Sequence, residues 1–373
     1  MGLLRMAFKL INSSKILQVL CLLIVILGVY CFYNYASSPK ISGLRNMQES
    51  MKPNENFKTN DHKIISESKT KSEKDTGVEK RHDVMITFTK AESNPGLQDK
   101  FKTTVRSMFR FARRPVNLHI LGDEKSKEIA RSILLEVADS SKYQLQHLDI
   151  DSITRQVHEI VSDMQKFFSY QPGAYYSDAL FFLSIVIHRV LPQLHRVVML
   201  DSDLKFNADV AELFTHFDKF SSSNIMGIAN DAQPVYRHNF HMYRNKVKDT
   251  MVGGPPPNGT TGFNSGVLLL DLDKMRASQL YNSLISSQVV ENLSQKYMFK
   301  GHLGDQDFYT LISVEHMELF YVLPCTWNRQ LCTWWKDNGY ADVFDQYFTC
   351  EGHINIYHGN CNTQIPKLEW ETN

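Results

Sequence analysis

Two aspartates that directly follow a short apolar run are the residues best suited to chemistry in this sequence. The run 196–200 is β-prone and leads into Asp201, Ser202 and Asp203. Paired carboxylates at the carboxyl end of a strand lie where open α/β folds bind ligands. Carboxylate oxygens are also the ligands that Mg²⁺ and Mn²⁺ prefer. The spacing therefore predicts a divalent-cation site at the edge of a sheet.

The same Asp-x-Asp pattern occurs twice more, at 149–151 and at 271–273. Each of these precedes a predicted helix, so an aspartate that caps the helix explains both, with Asp151 as the expected cap in the first. The pattern at 201–203 instead precedes Leu204–Phe206, which has the composition of extended chain. This context favours metal binding at 201–203.

A third ligand would hold such an ion more firmly, and His358 is a candidate because small and polar residues flank it. Neutral imidazole suits Mn²⁺ better than Mg²⁺, so Mn²⁺ is the expected ion and Mg²⁺ a substitute. His353 is a nearby competitor. A lone histidine more often has a structural role, so its local sequence leaves the third ligand open.

These candidate ligands need a sheet to position them, and the rest of the sequence predicts one. Apolar runs with strand character alternate with segments of helical periodicity, which is typical of a mostly parallel sheet with helices on both faces. The predicted strands span 84–89, 116–121, 143–148, 196–200, 224–229 and 266–270, and the predicted helices include 97–113, 126–138 and 176–190.

The first eighty residues differ from the rest of the chain. Residues 16–33 are apolar, uncharged and long enough for a transmembrane helix, and the basic residues before them predict a cytosolic N-terminus. We therefore expect a cytoplasmic tail at 1–15, a signal-anchor at 16–33, a flexible lumenal stem at 34–81 and a folded domain at 82–373. A cleaved signal peptide is the alternative to the anchor.

Composition narrows the class of function. The formal net charge is +1 and no strongly basic segment stands out, so a nucleic-acid partner is not expected. Four cysteines in the last fifty residues predict two disulfides in an oxidising lumen, and the spacing leaves their pairing open. These are Cys325, Cys332, Cys350 and Cys361. Glycosylation sequons at Asn258 and Asn292 fit a lumenal chain.

Four motifs in a fixed order form a more specific pattern than any one of them. They are the strand that ends at 201–203, the run Phe-Asn-Ser-Gly-Val-Leu-Leu-Leu at 263–270, the run Gly-Asp-Gln-Asp at 304–307, and the late His358. Together they resemble the family 8 glycosyltransferases over about residues 83–361. The resemblance implies an α/β fold of the GT-A type with a mostly parallel central sheet. It also implies a nucleotide-diphosphate sugar as donor and transfer with retention of configuration.

The resemblance assigns the metal to Asp201, Asp203 and His358, and the centre of the reaction to Asp305 and Gln306. A retaining enzyme with a covalent intermediate needs a carboxylate nucleophile at the anomeric carbon. The residue expected nearest that carbon is Gln306, which is a poor nucleophile. We therefore expect a front-face reaction, in which the acceptor hydroxyl attacks as UDP leaves.

The family resemblance also implies which residues contact the donor and the acceptor. Phe88 is expected to stack on the uracil, and a tight turn is the structural alternative for the residues before Gly266. The acceptor would contact Leu303 and Trp335. The expected donor contacts are Thr87, Phe88, Thr89, Ser202, Asn264, Ser265, Gln306 and Asn360.

Within the family, the runs 303–308 and 358–362 resemble xylosyltransferases of the endoplasmic reticulum. That resemblance implies UDP-xylose as donor and, as acceptor, a xylose-glucose disaccharide on EGF repeats of Notch-type proteins. It also implies a single-pass type II protein of the endoplasmic reticulum membrane, with the Golgi as the alternative location. A homodimer stays open as an alternative to a monomer.

Two departures from the family pattern concern the diphosphate. Asp178 lies where most members carry a basic residue, and the nearest lysine after His358 is Lys367. We therefore expect the metal, backbone groups and Asn360 to bind the diphosphate. Two other functions stay open: transfer of another UDP-sugar such as glucose, and sugar binding without catalysis. The complete metal set argues against the second of these.

Overall fold

The central feature of the fold is a seven-stranded sheet. A computed structural model describes residues 81–169 and 178–372. The strand order is β3-β2-β1-β4-β7-β6-β8. β3, β2, β1 and β4 are parallel neighbours, and β7 runs antiparallel to both β4 and β6. The strands are β1 (His82–Thr87), β2 (Val116–Gly122), β3 (Tyr143–Asp149), β4 (Arg196–Leu200), β6 (Met226–Asn230), β7 (Phe263–Asp271) and β8 (Phe320–Leu323).

Helices cover the sheet on both sides, as the alternation predicts. The long predicted helix at 176–190 is instead a 3-10 turn, Ala179–Phe182, followed by an α-helix, Leu183–Val190, and residues 170–177 lie outside the described part. The α-helices are Pro95–Phe111, Glu124–Val137, Ile150–Gln156, His158–Phe168, Leu183–Val190, Val210–Phe214, Val235–Asn239, His241–Lys246, Leu272–Ala277, Gln279–Leu284, Ser287–Lys296, Asp305–Ser313 and Ala341–Phe348.

The alternation of side chains along β4 explains why its sequence is apolar from Val197 to Leu200. Val197 and Met199 pack in one hydrophobic core, and Val198 and Leu200 pack in the core on the opposite face. A strand buried on both faces has no polar positions. The strand therefore stays apolar up to Leu200, and polarity begins at the sheet edge.

The two other Asp-x-Asp patterns are helix caps. Asp149 accepts a hydrogen bond from the backbone N–H of Ser152, and Asp271 accepts one from that of Lys274. Capping is thus confirmed at both places, although the cap in the first is Asp149, not the expected Asp151. After Asp203 the chain enters strand β5 (Leu204–Phe206), as the extended composition predicts.

A small second sheet brings the end of the chain to the same edge. β10 (Ile356–His358) pairs with β5 on one side and with β9 (Arg329–Gln330) on the other. His358 is opposite Leu204 in this register, and the N–H of Gly359 donates to the carbonyl of Asp203 at 2.9 Å. This pairing holds the late histidine next to the aspartates.

Two disulfides fasten the segment that carries β9 and β10, as the cysteine cluster predicts. Cys325 is bonded to Cys350, and Cys332 is bonded to Cys361. Cys361 lies three residues after His358, so the second disulfide fixes the chain close to the candidate metal ligands. The buried Lys205 also donates from Nζ to the carbonyl of Pro366 at 3.0 Å.

The predicted anchor at 16–33 lies outside the described residues, as do the tail and nearly all of the stem. In the part of the chain that is described, no helix is both long and apolar enough to cross a bilayer.

The disulfides close loops of similar length, so their removal should cost a similar free energy of unfolding. Their sequence separations are 25 and 29 residues, for which the loss of loop-closure entropy in the unfolded chain is worth about 3–4 kcal/mol. We expect urea unfolding of the Cys325→Ala/Cys350→Ala and Cys332→Ala/Cys361→Ala variants to show comparable losses of that size. A loss confined to one pair would contradict this estimate.

Candidate active site

One large cavity collects nearly all of the residues that the sequence singles out. Its volume is about 1110 Å³, above the usual range for a single small ligand, so it has room for a donor and an acceptor. It lies beyond the carboxyl ends of β1 and β4. Among its lining residues are Thr87, Thr89, Asp201, Ser202, Asp203, Asn264, Ser265, Leu303, Asp305, Gln306, Trp335, His358 and Asn360.

Asp201, Asp203 and His358 converge inside this cavity. One ligand atom from each lies within 4.8 Å of the others. Nε2 of His358 is 3.6 Å from Asp201 Oδ2 and 3.3 Å from Asp203 Oδ1. Two carboxylates and one imidazole are a suitable donor set for Mn²⁺. The structure thus joins the predicted ligands in a candidate metal centre.

The orientation of His358 is fixed by two neighbours. Its Nδ1–H donates to Oδ1 of the buried Asn328 at 3.0 Å, which leaves Nε2 as the ring nitrogen that faces the carboxylates. Gly266 lies against the ring, and a Cβ there would be 2.3 Å from Cε1 of His358. The ring therefore requires glycine at position 266, and Nε2 is the nitrogen that would bind a metal after losing its proton.

The pKa values of the two aspartates shift in opposite directions, because loss of hydration raises that of Asp201 while hydrogen bonds lower that of Asp203. Burial disfavours the charged form of Asp203, but His358 and Lys100 hydrogen-bond to it and lower its pKa to about 2. Burial likewise opposes protonation of His358, yet Asp203 and Asp201 raise its pKa. The two carboxylates therefore favour the protonated imidazole, whose positive charge would partly balance them.

An irregularity in β7 places Asn264 and Ser265. The pairing of β7 with β6 shifts here, because Ile228 is opposite Leu268 but Ala229 is opposite Asn264. Such bulges redirect side chains beside active sites. The structural alternative of a tight turn before Gly266 is therefore wrong, since β7 already begins at Phe263.

Gln306 is held by a buried network. Its Nε2 donates to the hydroxyl of Tyr236 at 3.1 Å, and that hydroxyl donates to Asp307 Oδ1 at 3.0 Å. Asp307 also accepts the N–H of Leu303, and burial raises its pKa to about 7. Because Nε2 of Gln306 is already bonded, its Oε1 faces Asn264 and accepts a hydrogen bond from Nδ2 of that residue at 3.5 Å. The amide therefore has a defined orientation.

Asp305 is held by two hydroxyl groups. Ser184 donates to Oδ2 at 2.5 Å and Ser265 donates to Oδ1 at 2.8 Å. Burial raises the pKa of Asp305 to about 7, although both hydrogen bonds oppose the rise. A carboxyl group whose two oxygens both accept hydrogen bonds is better suited to sugar binding than to nucleophilic attack.

The polar donor residues line the cavity, but several atoms are already engaged. Ser202 Oγ donates to the carbonyl of Thr87 at 2.7 Å, and Thr89 Oγ1 donates to Asp123 at 2.9 Å. Asn360 Oδ1 accepts from the N–H groups of Leu331 and Cys332 at 2.9 and 3.0 Å. Asn360 would therefore contact a diphosphate through its Nδ2.

Phe88 is placed differently from the expectation. Its ring is fully buried and stacks on Phe101, with ring centroids 4.3 Å apart. It follows the last residue of β1 and packs between the sheet and the helix Pro95–Phe111. Uracil stacking on this ring is not supported, because the ring does not reach the cavity.

The two predicted acceptor residues lie on the cavity wall. Trp335 packs against His238 and Tyr340, with centroid distances of 5.0 and 5.3 Å. Leu303 lies just before the helix that carries Gln306. Neighbouring Trp334 is exposed and meets Trp335 edge-on at 4.9 Å. Together the tryptophans offer apolar faces of the kind that pack against sugars.

Several site residues carry no signal in the sequence. Asn328 is an isolated asparagine between two cysteines, and Lys90 and Lys100 look like ordinary surface lysines of a loop and a helix. Asp231 and Gln233 follow β6 and belong to no recognisable motif. All except Asn328 line the cavity, while Lys367 lies in a different cleft.

Comparisons with known proteins agree with this site. The family model described as glycosyl transferase family 8 matches residues 97–347. Human xyloside xylosyltransferase 1 is 50% identical over 292 residues, which are 76% of this chain and 74% of that protein. The mouse protein of the same name is 49% identical over the same shares. The crystal structure of mouse xyloside xylosyltransferase 1 in its apo form matches with a TM-score of 0.74 and 48% identity, covering 77% of this chain and 100% of that one.

Removal of the partner of His358 should weaken metal binding. In Asn328→Leu the Nδ1–H of His358 and Oδ1 of Asn264 lose their hydrogen bonds, and such losses lower metal affinity about 10–100-fold. Calorimetric titration with Mn²⁺ measures the change.

Asn224→Leu is the matched control, because Asn224 is also buried but donates to the carbonyls of Glu318 and Phe320 at the far edge of the sheet. It should cost stability and leave Mn²⁺ affinity intact. Equal Mn²⁺ affinities of the Asn328 variant and the unmodified protein would contradict the assignment.

Metal affinity should depend on pH through His358. Its pKa is raised above 6.5 by the carboxylates, and a proton on Nε2 competes with the ion. Affinity for Mn²⁺ should therefore be constant above the raised pKa and fall as the pH drops through it. Titrations between about pH 6 and 9 bracket this range. His358→Gln should remove the part of the dependence that comes from the imidazole and leave that of Asp201, whose pKa is raised to about 6 by loss of hydration. A flat profile for the unmodified protein would exclude His358 as a ligand.

Proposed function

Because the chain belongs to glycosyl transferase family 8, we propose that it transfers xylose from UDP-xylose to a sugar hydroxyl on a glycoprotein. The observation that carries this proposal is the cavity that holds Asp201, Asp203 and His358 together with Asp305 and Gln306. Xylose is favoured over other sugars by the 50% identity to xyloside xylosyltransferase 1.

The metal ligands bear on departure of UDP. A Mn²⁺ ion, or Mg²⁺ in its place, held by Asp201, Asp203 and His358 would stabilise the charge that develops on the diphosphate. The chain prepares this site before any ligand binds, because the register of β5 and β10 and the hydrogen bond from His358 to Asn328 already orient the three side chains.

A front-face reaction with retention fits the residues near the sugar. Gln306 is an amide, and Asp305 is tied by Ser184 and Ser265, so neither is poised as a nucleophile. The bond between the anomeric carbon and the phosphate oxygen breaks with its electron pair leaving on UDP. The acceptor hydroxyl forms the new bond on the same face and gives its proton to the departing phosphate. Oε1 of Gln306 would stabilise the positive charge on the sugar.

The acceptor we propose is a xylose-glucose disaccharide on EGF repeats of Notch-type proteins. The support for this is the resemblance at 303–308 and 358–362, together with the aromatic wall formed by Trp334 and Trp335. The proposed location is the endoplasmic reticulum membrane, with the anchor at 16–33. Two disulfides in the described domain are consistent with an oxidising lumen.

A panel of UDP-sugars tests the function. With Mn²⁺ and a xylosyl-glucosyl EGF repeat as acceptor, we expect transfer from UDP-xylose to exceed transfer from UDP-glucose, and a chelator to abolish it. Mass spectrometry of the acceptor reports both. Turnover without metal, or equal use of the two donors, would refute the proposal.

Two aspartate variants complete this test. Asp203→Asn should lower the rate at least about 100-fold, since metal assistance is worth several kcal/mol. Asp273→Asn should leave it unchanged, because Asp273 is an exposed residue that pairs with Arg276 and His195.

A further inference from the structure

The side chain of Lys100 enters the metal end of the cavity from a helix outside the recognised motifs. Lys100 lies on the helix Pro95–Phe111, and its Nζ is 3.4 Å from Asp203 Oδ2 and 2.7 Å from Asn362 Oδ1. Its strongest contact is thus a neutral amide. The ion pair with Asp203 is long, so the ammonium group has capacity for a further anionic partner.

The charge of the cavity creates a need for such a group. Five of its lining residues carry carboxyl groups: Asp178, Asp201, Asp203, Asp231 and Asp305. A diphosphate brings at least two more negative charges into this space. One divalent cation offsets only the two carboxylates that hold it. Neutralisation of the diphosphate therefore calls for a cation supplied by the chain itself.

Lys90 and Lys100 are the lysines among the lining residues that the structure describes. Lys90 forms an ion pair with Asp178, and its side chain is 73% exposed. Lys367, the nearest lysine after His358 in sequence, lies in a separate cleft with Arg106 and Trp370. Position therefore singles out Lys100, which is the lysine that contacts a metal-binding aspartate.

We propose that Lys100 binds the diphosphate of the donor and stabilises it as leaving group, an inference that rests on the proposed function. When the bond between the anomeric carbon and the phosphate oxygen breaks, the electron pair stays on that oxygen. The ammonium group of Lys100 donates a hydrogen bond to the diphosphate and offsets part of this charge. Asn362 holds the lysine in place before the donor arrives.

The test separates phosphate recognition from structure. Affinities for UDP, UMP and uridine are measured by calorimetry in the presence of Mn²⁺ for the unmodified protein and for Lys100→Met. We expect the variant to lose about 10–100-fold in affinity for UDP, as for other charge-assisted hydrogen bonds, less for UMP and nothing for uridine. Lys100→Arg should recover part of the UDP affinity.

Lys102→Met is the matched control. Lys102 lies on the same helix, and its side chain is 38% exposed compared with 35% for Lys100. Two residues along a helix correspond to about 200° of rotation, so Lys102 faces away from the site, where it pairs with Glu136. Its removal should leave all three affinities unchanged.

Four outcomes would overturn the proposal. Unchanged UDP affinity in Lys100→Met would show that the lysine does not bind the diphosphate. An equal loss for uridine, or a matching loss of Mn²⁺ affinity without nucleotide, would show that the lysine only supports the site. A protein that binds no UDP at all would refute both this inference and the proposed function. If UDP binds in the predicted way but no xylose is transferred, the proposed function alone fails.

Discussion

The candidate metal centre depends on relief of the repulsion between Asp201 and Asp203. Two carboxylates at the end of one strand disfavour each other unless positive charge lies between them. The chain places the imidazole of His358 3.3 Å from Asp203, and the two carboxylates raise its pKa and so favour its positively charged form. Since His358 comes from the far end of the sequence, the second sheet and the disulfide at Cys361 are needed to deliver it.

Hydrogen bonds extend this arrangement from the metal centre to the sugar site. The imidazole of His358 donates to Asn328, whose Nδ2 donates to Asn264 Oδ1 at 2.9 Å. Asn264 in turn faces Gln306, which Tyr236 orients from the other side. Each amide has one donor and one acceptor in use, so a rotation of one would break contacts of the next. The bulge in β7 makes this possible, because it places Asn264 beside the amides while Gly266 leaves space for the imidazole ring.

Local sequence patterns predict the sheet and the paired aspartates, but they do not predict contacts between residues far apart in the sequence. The apolar run before Asp201 and the capping of Asp271 follow from short-range rules, and the strand at 196–200 has the predicted bounds. The predicted uracil contact of Phe88 is wrong because a shift of one residue past the end of a strand decides whether a ring faces the cavity or the core. Asn328 and Lys100 had no sequence signal, since their roles arise from partners far away along the chain. The family resemblance assigns the roles of His358 and Gln306, because motifs kept in a fixed order reflect such distant contacts.

Electron spin echo spectroscopy of the Mn²⁺-bound protein tests the central claim most directly, because it detects nitrogen nuclei coordinated to the ion. With ¹⁵N-labelled histidine in the protein, we predict coupling to a single histidine nitrogen, absent from the His358→Gln variant. A spectrum without histidine coupling, or coupling that persists in the variant, would contradict a metal centre built from Asp201, Asp203 and His358.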